Sequence, residues 1–324
     1  MGATVNTVLG TKRSEDLGRM LVHEHVMAGM PGWFMDARQP VHDRAEAVER
    51  VVAAFAELHD HGVTTVIDPC PMDLGRDVEM IAAVSQRTGI DIICATGAYF
   101  EEMGITWTLA QLPAEAIAEG FIKEIEQGVG ETGIKCGVIK IATGRGRVSD
   151  YERKLLIAGS IAAKATGVPL ISHTEGCSCG HDQIDIVTGH GLPSSSLIVG
   201  HSCGADDHAY QRSLAERGSY VGFDRFGITS EIADEIRVRN LKALVDAGYR
   251  DRLLVSHDAV SCFPGQPTWP EALREAMPNW RMTHLFENIF PELKRMGMTD
   301  ADFDGITIDN PRRYFDDAWS AVHR

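Results

Sequence analysis

Eight short runs of aliphatic and β-branched residues recur along the chain, at 20–26, 64–70, 90–96, 137–142, 169–173, 197–201, 220–224 and 253–257. Longer stretches with helical patterning lie between them, among them 43–59, 113–127, 150–166, 206–217 and 230–247. Some carry helix punctuation: Asp150 opens one and Gly167 follows it, and Ser230 and Gly248 bracket another. Strands that alternate with helices form parallel sheets, and eight of them predict a closed (β/α)8 barrel occupying residues 1–324 as one domain. An open doubly wound sheet would place a glycine-rich phosphate turn after its first strand. Here the first run meets His23-Glu24-His25, and Gly144-Arg145-Gly146 is too short for a dinucleotide fingerprint.

The chain has 324 residues, 44% of them hydrophobic, enough for one large core. Its formal charge of −15 shows no basic patch for nucleic acid or an anionic membrane surface. No apolar run approaches a membrane span, and the N-terminus lacks the pattern of a secretory signal. The expected location is the cytoplasm, with seven reduced cysteines. Cys177-Ser178-Cys179 has no second Cys pair and does not make a zinc ribbon.

The chemistry concentrates where the strand-like runs end. His23 and His25, two apart, share one face of a strand. Later runs end in Lys140, His173, His201 and His257-Asp258. In a parallel barrel the carboxyl ends of the strands ring one axis, where active sites are built. Four imidazoles and a carboxylate there suit zinc and neighbouring transition metals. Lys140 is the odd member, since an ammonium beside divalent ions is unfavourable. Three outcomes satisfy it: it turns away, it forms a Schiff base as an aldolase nucleophile, or it is carbamylated into an anion that bridges two metals. His257 is expected to play a structural part.

Two long connections flank the same face. Residues 27–40 carry Trp33 and Phe34, and residues 259–279 carry Phe263 and Trp269. With Phe100 they would wall an apolar mouth, or the tryptophans would simply pin the loops.

Taken together, His23-x-His25, Val138-Ile139-Lys140, His173, Gly200-His201 and Asp258 resemble the phosphotriesterase-like lactonases of the amidohydrolase superfamily. The likeness runs nearly the whole chain, through Asp309-Asn310-Pro311-Arg312-Arg313-Tyr314-Phe315. It implies two divalent ions, zinc by preference with cobalt, iron or manganese as alternatives. His23, His25 and Asp258 would hold the more buried ion and His173 and His201 the more exposed one, with a CO2-derived carbamate on Lys140 and a hydroxide between them. Asp258 would also take up a proton. Tyr99 resembles the family tyrosine that faces the hydroxide, and Arg225 the strand-seven arginine of the lactonase branch; a loop-propping salt bridge is the other reading of Arg225.

The implied activity is opening of N-acyl-homoserine or other alkyl-substituted γ- or δ-lactones, of the quorum-quenching type, with weak phosphotriester hydrolysis. A dedicated aryldialkylphosphatase and a phosphorylated-sugar lactonase are the alternatives. The latter needs a focused cationic group, and Arg38, Arg145, Arg147 and Arg225 do not obviously form one. The resemblance also implies a homodimer.

Overall fold

The computed structural model describes residues 2–35, 37, 43–264, 272 and 275–323. An antiparallel hairpin, β1 (Thr4–Thr7) and β2 (Gly10–Arg13), precedes the barrel. It abuts the amino-terminal end of the barrel, where Val8 N–H donates to Ile92 O at 2.9 Å. The strand pattern had not indicated it.

Eight parallel strands follow, hydrogen-bonded in the order β3 (Arg19–Leu21), β5 (Val63–Asp68), β6 (Asp91–Gly97), β7 (Val138–Thr143), β8 (Leu170–Thr174), β9 (Leu197–Val199), β10 (Tyr220–Phe223) and β11 (Leu253–Val255). The first and last of these, β3 and β11, are not laddered to each other. Closure occurs one level higher. There β4 (Glu24–Met27) pairs in parallel with β12 (Ala259–Cys262), placing Ala259 opposite Glu24 and Val260 opposite His25. Strand one is therefore β3 and β4 with a break at residues 22–23. Strand eight is β11 and β12 with a break at residues 256–258, so it does not end at 257 and its following loop is shorter than expected.

Helices α1 (Arg44–Ala56), α2 (Val78–Thr88), α3 (Trp107–Gln111), α4 (Ala114–Glu126), α5 (Asp150–Thr166), α6 (Gly180–Gly189), α7 (His208–Glu216) and α8 (Asp234–Asp246) connect the strands. α2, α3 and α6 lie outside the helical stretches that the sequence pattern indicates. The cap of α5 is Ser149, whose hydroxyl accepts from Glu152 N–H in a capping box, and not Asp150. α8 begins after Ala233 and not at Ser230. No described helix is long and apolar enough to cross a membrane.

Alternation along the strands sorts the core into two layers. Met20, Val22, Ile67, Ile93, Val138, Ile171, Ile198, Tyr220 and Leu254 fill the barrel interior. Their neighbours Leu21, Val66, Ile92, Ile139, Leu170, Leu197, Val221 and Leu253 pack outward against helices. Two steps beyond inward Val138 and Ile171 lie Lys140 and His173. Four steps beyond inward Tyr220 and Leu254 lie Asp224 and Asp258. The period of two thus lifts Lys140 and His173 onto the carboxyl end of the same core, whereas Asp224 and Asp258 lie past the ends of β10 and β11, Asp258 within the strand-eight break. Strand one breaks the rule usefully: Val22 faces inward, and the break lets His23 and His25 face inward too.

Candidate metal centre

The inward side chains converge on the Asp258 carboxylate. Its Oδ1 lies 3.4 Å from His23 Nε2 and 3.1 Å from His25 Nε2. Its Oδ2 lies 3.7 Å from His201 Nε2 and accepts from Arg225 Nε at 3.1 Å. Lys140 Nζ, buried in the same cluster, reaches His23 Nε2 at 3.2 Å. Lys140 does not terminate its strand as the sequence pattern suggested, since β7 continues to Thr143. Gly97 makes room beside it: with φ +114°, any Cβ there would fall 1.9 Å from the Lys140 carbonyl oxygen.

Asp224, which the sequence reading passed over, organises the cluster from beneath. Its Oδ2 accepts from His23 Nδ1 at 3.0 Å, and its Oδ1 accepts from the ring Nδ1 and backbone N–H of His201 at 3.1 and 2.8 Å. Each Nδ1 therefore carries its proton toward Asp224, leaving the Nε2 lone pairs aimed at the centre. On the other side, Asp68 Oδ1 lies 3.4 Å from His25 Nδ1. An acidic residue at an inward strand end is the signal that would have found Asp224. Its partners in distant strands are what the sequence hides.

The electrostatics follow from burial. Desolvation lowers the pKa of His23 and Lys140, the lysine to about 8, and takes His201 well below the ordinary histidine value. Burial works against charge on His25 as well, yet its hydrogen bond to Asp258 and its proximity to Asp68 and Cys70 raise it well above the usual value. Burial also opposes the Asp258 carboxylate, but His201, His23, the His25 hydrogen bond and Arg225 hold it well below the usual range. Neutral Nε2 donors around an ionised carboxylate are a donor set for a divalent ion, which would take the place of the His25 proton. His23, His201 and Asp258 form one such group and His25, Asp68 and Cys70 another, the ligand atoms of each within 4.8 Å of one another.

His173 sits one step outside. Its ring centroid is 4.5 Å from that of His201, and both of its nitrogens are engaged, Nδ1 with Tyr99 OH at 3.1 Å and Nε2 with Glu175 Oε2 at 2.9 Å. Phe100 stacks on it at 5.0 Å, so this phenylalanine is a buried support and not part of the mouth. Burial takes His173 down to about 4, and its hydrogen bond takes Glu175 to about 2. A second ion bound by His201 and His173 would require His173 to exchange one of these two partners.

An apolar wall adjoins the cluster. Met30, Tyr99, Val260 and Phe263 pack together over buried Ala28, Cys70 and Leu74. Trp33 folds against Gly29, where a Cβ would lie 2.6 Å from the indole, while Phe34 is exposed. A cleft of about 620 Å³ lies beside this loop, lined by Met27, Met30, Trp33, Phe34, Met72 and Asp73 among others; none of the six donor residues lines it. Trp269 and Arg38 fall outside the described residues. Arg225 reaches Asp258 Oδ2 and also pairs with Glu231 at 2.7 Å. His257 faces away from the donors: Nδ1 donates to Glu24 Oε1 at 2.6 Å, and Nε2 accepts from Leu285 N–H at 3.1 Å. Cys177 and Cys179 turn to the carbonyls of His201 and Gly144.

Comparison with known proteins places this geometry. The profile of the phosphotriesterase family matches residues 3–315. A phosphotriesterase homology protein of Mycobacterium tuberculosis is 34% identical over 322 residues, covering 96% of this chain and 97% of that protein. An aryldialkylphosphatase of Saccharolobus solfataricus is 30% identical, covering 93% of this chain and 96% of the other. A solved structure of a variant of the Deinococcus radiodurans phosphotriesterase-like lactonase superposes with a TM-score of 0.91 at 35% identity, over 96% of this chain and 100% of that one.

Proposed function

The chain belongs to the phosphotriesterase family, and from that premise we propose that it is a metal-dependent lactonase for γ- or δ-lactones bearing alkyl chains, with N-acyl-homoserine lactones the best-fitting class. Weak phosphotriester hydrolysis accompanies this activity, because both transition states carry charge on oxygens around one tetrahedral or bipyramidal centre. The observation that carries the reading is the juxtaposition of the Asp258 cluster with the wall of Met30, Tyr99, Val260 and Phe263. A phosphorylated substrate would need free cations. Of the arginines weighed for that task, Arg225 is paired with Asp258 and Glu231, and Arg145 with Glu175 at 3.4 Å.

His23, His25 and Asp258 would hold one divalent ion, His201 and His173 the other, and Lys140 would stand between them. Two such ions supply a water acidified toward neutrality and a Lewis acid for the ester carbonyl. The chain's own groups do the rest. Asp224 keeps the His23 and His201 tautomers fixed. Lys140, with its pKa lowered to about 8, keeps part of its population as free amine near neutrality. That form adds to CO2 and loses a proton to become a carbamate anion. Arg225 holds Oδ2 of Asp258, fixing the orientation of a carboxylate placed to take up the proton released by the attacking water. The alkyl chain lies against Phe263 and Met30, and the leaving alkoxide stays tethered to the product.

Elemental analysis and kinetics test this together. Purified enzyme should contain two divalent ions per chain, and Lys140→Ala should lose both metal and activity, with partial rescue by short carboxylic acids. kcat/KM for an alkyl lactone should exceed that for a paraoxon-like triester. A preference for the triester, or full lactonase activity in enzyme shown to be stripped of metal, would overturn the assignment.

A further inference from the structure

Glu24 stands between two of the donor histidines, but its carboxylate is wholly buried against strand eight. It opens β4 and forms the first pair of the β4–β12 ladder with Ala259, next to the stretch of the seam where β3 and β11 are not laddered. Asp258 lies in that stretch with φ +54°, a left-handed conformation that persists in a non-glycine residue only when its surroundings impose it.

Trp280 Nε1–H donates to the carbonyls of His257 and Asp258 at 3.1 and 3.2 Å, and the backbone N–H groups on either side of Asp258 are held by one side chain and a short relay. Glu24 Oε1 accepts from Ser256 Oγ at 2.8 Å, from His257 N–H at 3.0 Å and from His257 Nδ1 at 2.6 Å. Oε2 accepts from Ala259 N–H at 2.9 Å. The backbone donors immediately before and after Asp258 thus end on the same carboxylate. Ser256 Oγ in turn accepts from His23 N–H at 2.9 Å, and Asp258 N–H donates to His23 O at 3.0 Å.

We infer that Glu24 is a positioning residue for Asp258: it replaces the missing ladder across the barrel seam and imposes the left-handed turn that aims the Asp258 carboxylate at His23, His25 and His201. The inference rests on the proposed reading of Asp258 as a metal ligand. It gives Glu24 a role distinct from that of the donors flanking it, and it explains why His257, next to the ligand, is anchored outward.

Glu24→Gln is the test. The amide keeps one oxygen for Ser256 and His257 but sets its NH2 against Ala259 N–H, two donors facing each other. Partners outside the ligand shell typically contribute about 10–100-fold to metal affinity or activity. The variant should therefore bind zinc about 10–100-fold more weakly in chelator competition on stripped protein. Its kcat should fall on the order of 10-fold or more while KM moves less than about threefold, at a temperature well below its Tm. A lower Tm with unchanged zinc affinity and kcat would reduce Glu24 to a structural support and overturn the inference. Should Glu24→Gln not fold, Ser256→Ala interrupts the same relay and should weaken zinc binding about 3–10-fold; unchanged affinity there overturns it equally. Wild-type protein that binds no zinc would instead defeat the metal reading of Asp258, and this inference with it.

Discussion

Asp224 grips His201 twice through one oxygen, taking its backbone N–H at 2.8 Å and its ring Nδ1–H at 3.1 Å. His201 needs that grip because it lies just past the end of β9 with φ +58°, where no ladder holds it. The other Asp224 oxygen holds His23, so one carboxylate sets the tautomer of two imidazoles from different strands.

Asp224→Asn should therefore weaken metal binding more than it unfolds the barrel. An amide can accept from one imidazole but opposes the other with its NH2. The expected loss is about 10–100-fold in zinc affinity by chelator competition. Asp206→Asn, an exposed change on the same protein, serves as the control and should have no effect. Equal affinity in Asp224→Asn and wild type would show that the two histidines orient themselves.

Asp258→Asn separates ligation from proton transfer. The amide oxygen can still face an ion but cannot take up a proton. General acid–base contributions run to about 10²–10⁴-fold, so kcat should fall within that range in samples matched for metal content. A fall of less than tenfold at equal metal would remove the proton-acceptor role.

Phe263 offers the most direct handle on substrate. It belongs to the wall over Ala28, Cys70 and Leu74. Each methylene buried there contributes at most ~0.8 kcal/mol, so two added methylenes can raise kcat/KM by roughly tenfold. Phe263→Ala should flatten this chain-length dependence while barely slowing a lactone without a tail. If tail length has no effect in wild type, the alkyl chain lies elsewhere.

Acid should remove the stability that His173 contributes to the metal-free protein in a window set by its lowered value. His173 falls from 6.5 to about 4 on folding because burial penalises its charge. A lowered folded value means that the stability is fully present above 6.5 and is lost as pH falls toward 4. Glu175, lowered from 4.5 to about 2 by its bond to His173, extends the loss to more acid pH. Tm of stripped wild type should drop through this range, and His173→Asn should show a shallower drop between 6.5 and 4. Parallel curves would count against the assignment.

The alternation of apolar runs with helical stretches was enough to specify eight parallel strands, and local spacing was enough to lift Lys140 and His173 onto one end of the barrel. Both are consequences of a strand's period of two, which is written in adjacent residues. The seam was not legible. The breaks at residues 22–23 and 256–258 exist because strands one and eight must meet, and the contacts that hold them join residues such as Glu24 and Ala259, 235 positions apart. The same holds for Asp224, whose partner His23 is 201 positions away. A hydrogen bond between residues that distant leaves no local pattern. Its donors and acceptors are ordinary until closure of the barrel excludes water and makes each of them find a partner. Several candidate donors could therefore be named along the chain, though not Asp68 and Cys70, which only the fold brings beside His25. What holds them in place was decided only when the first strand closed against the last.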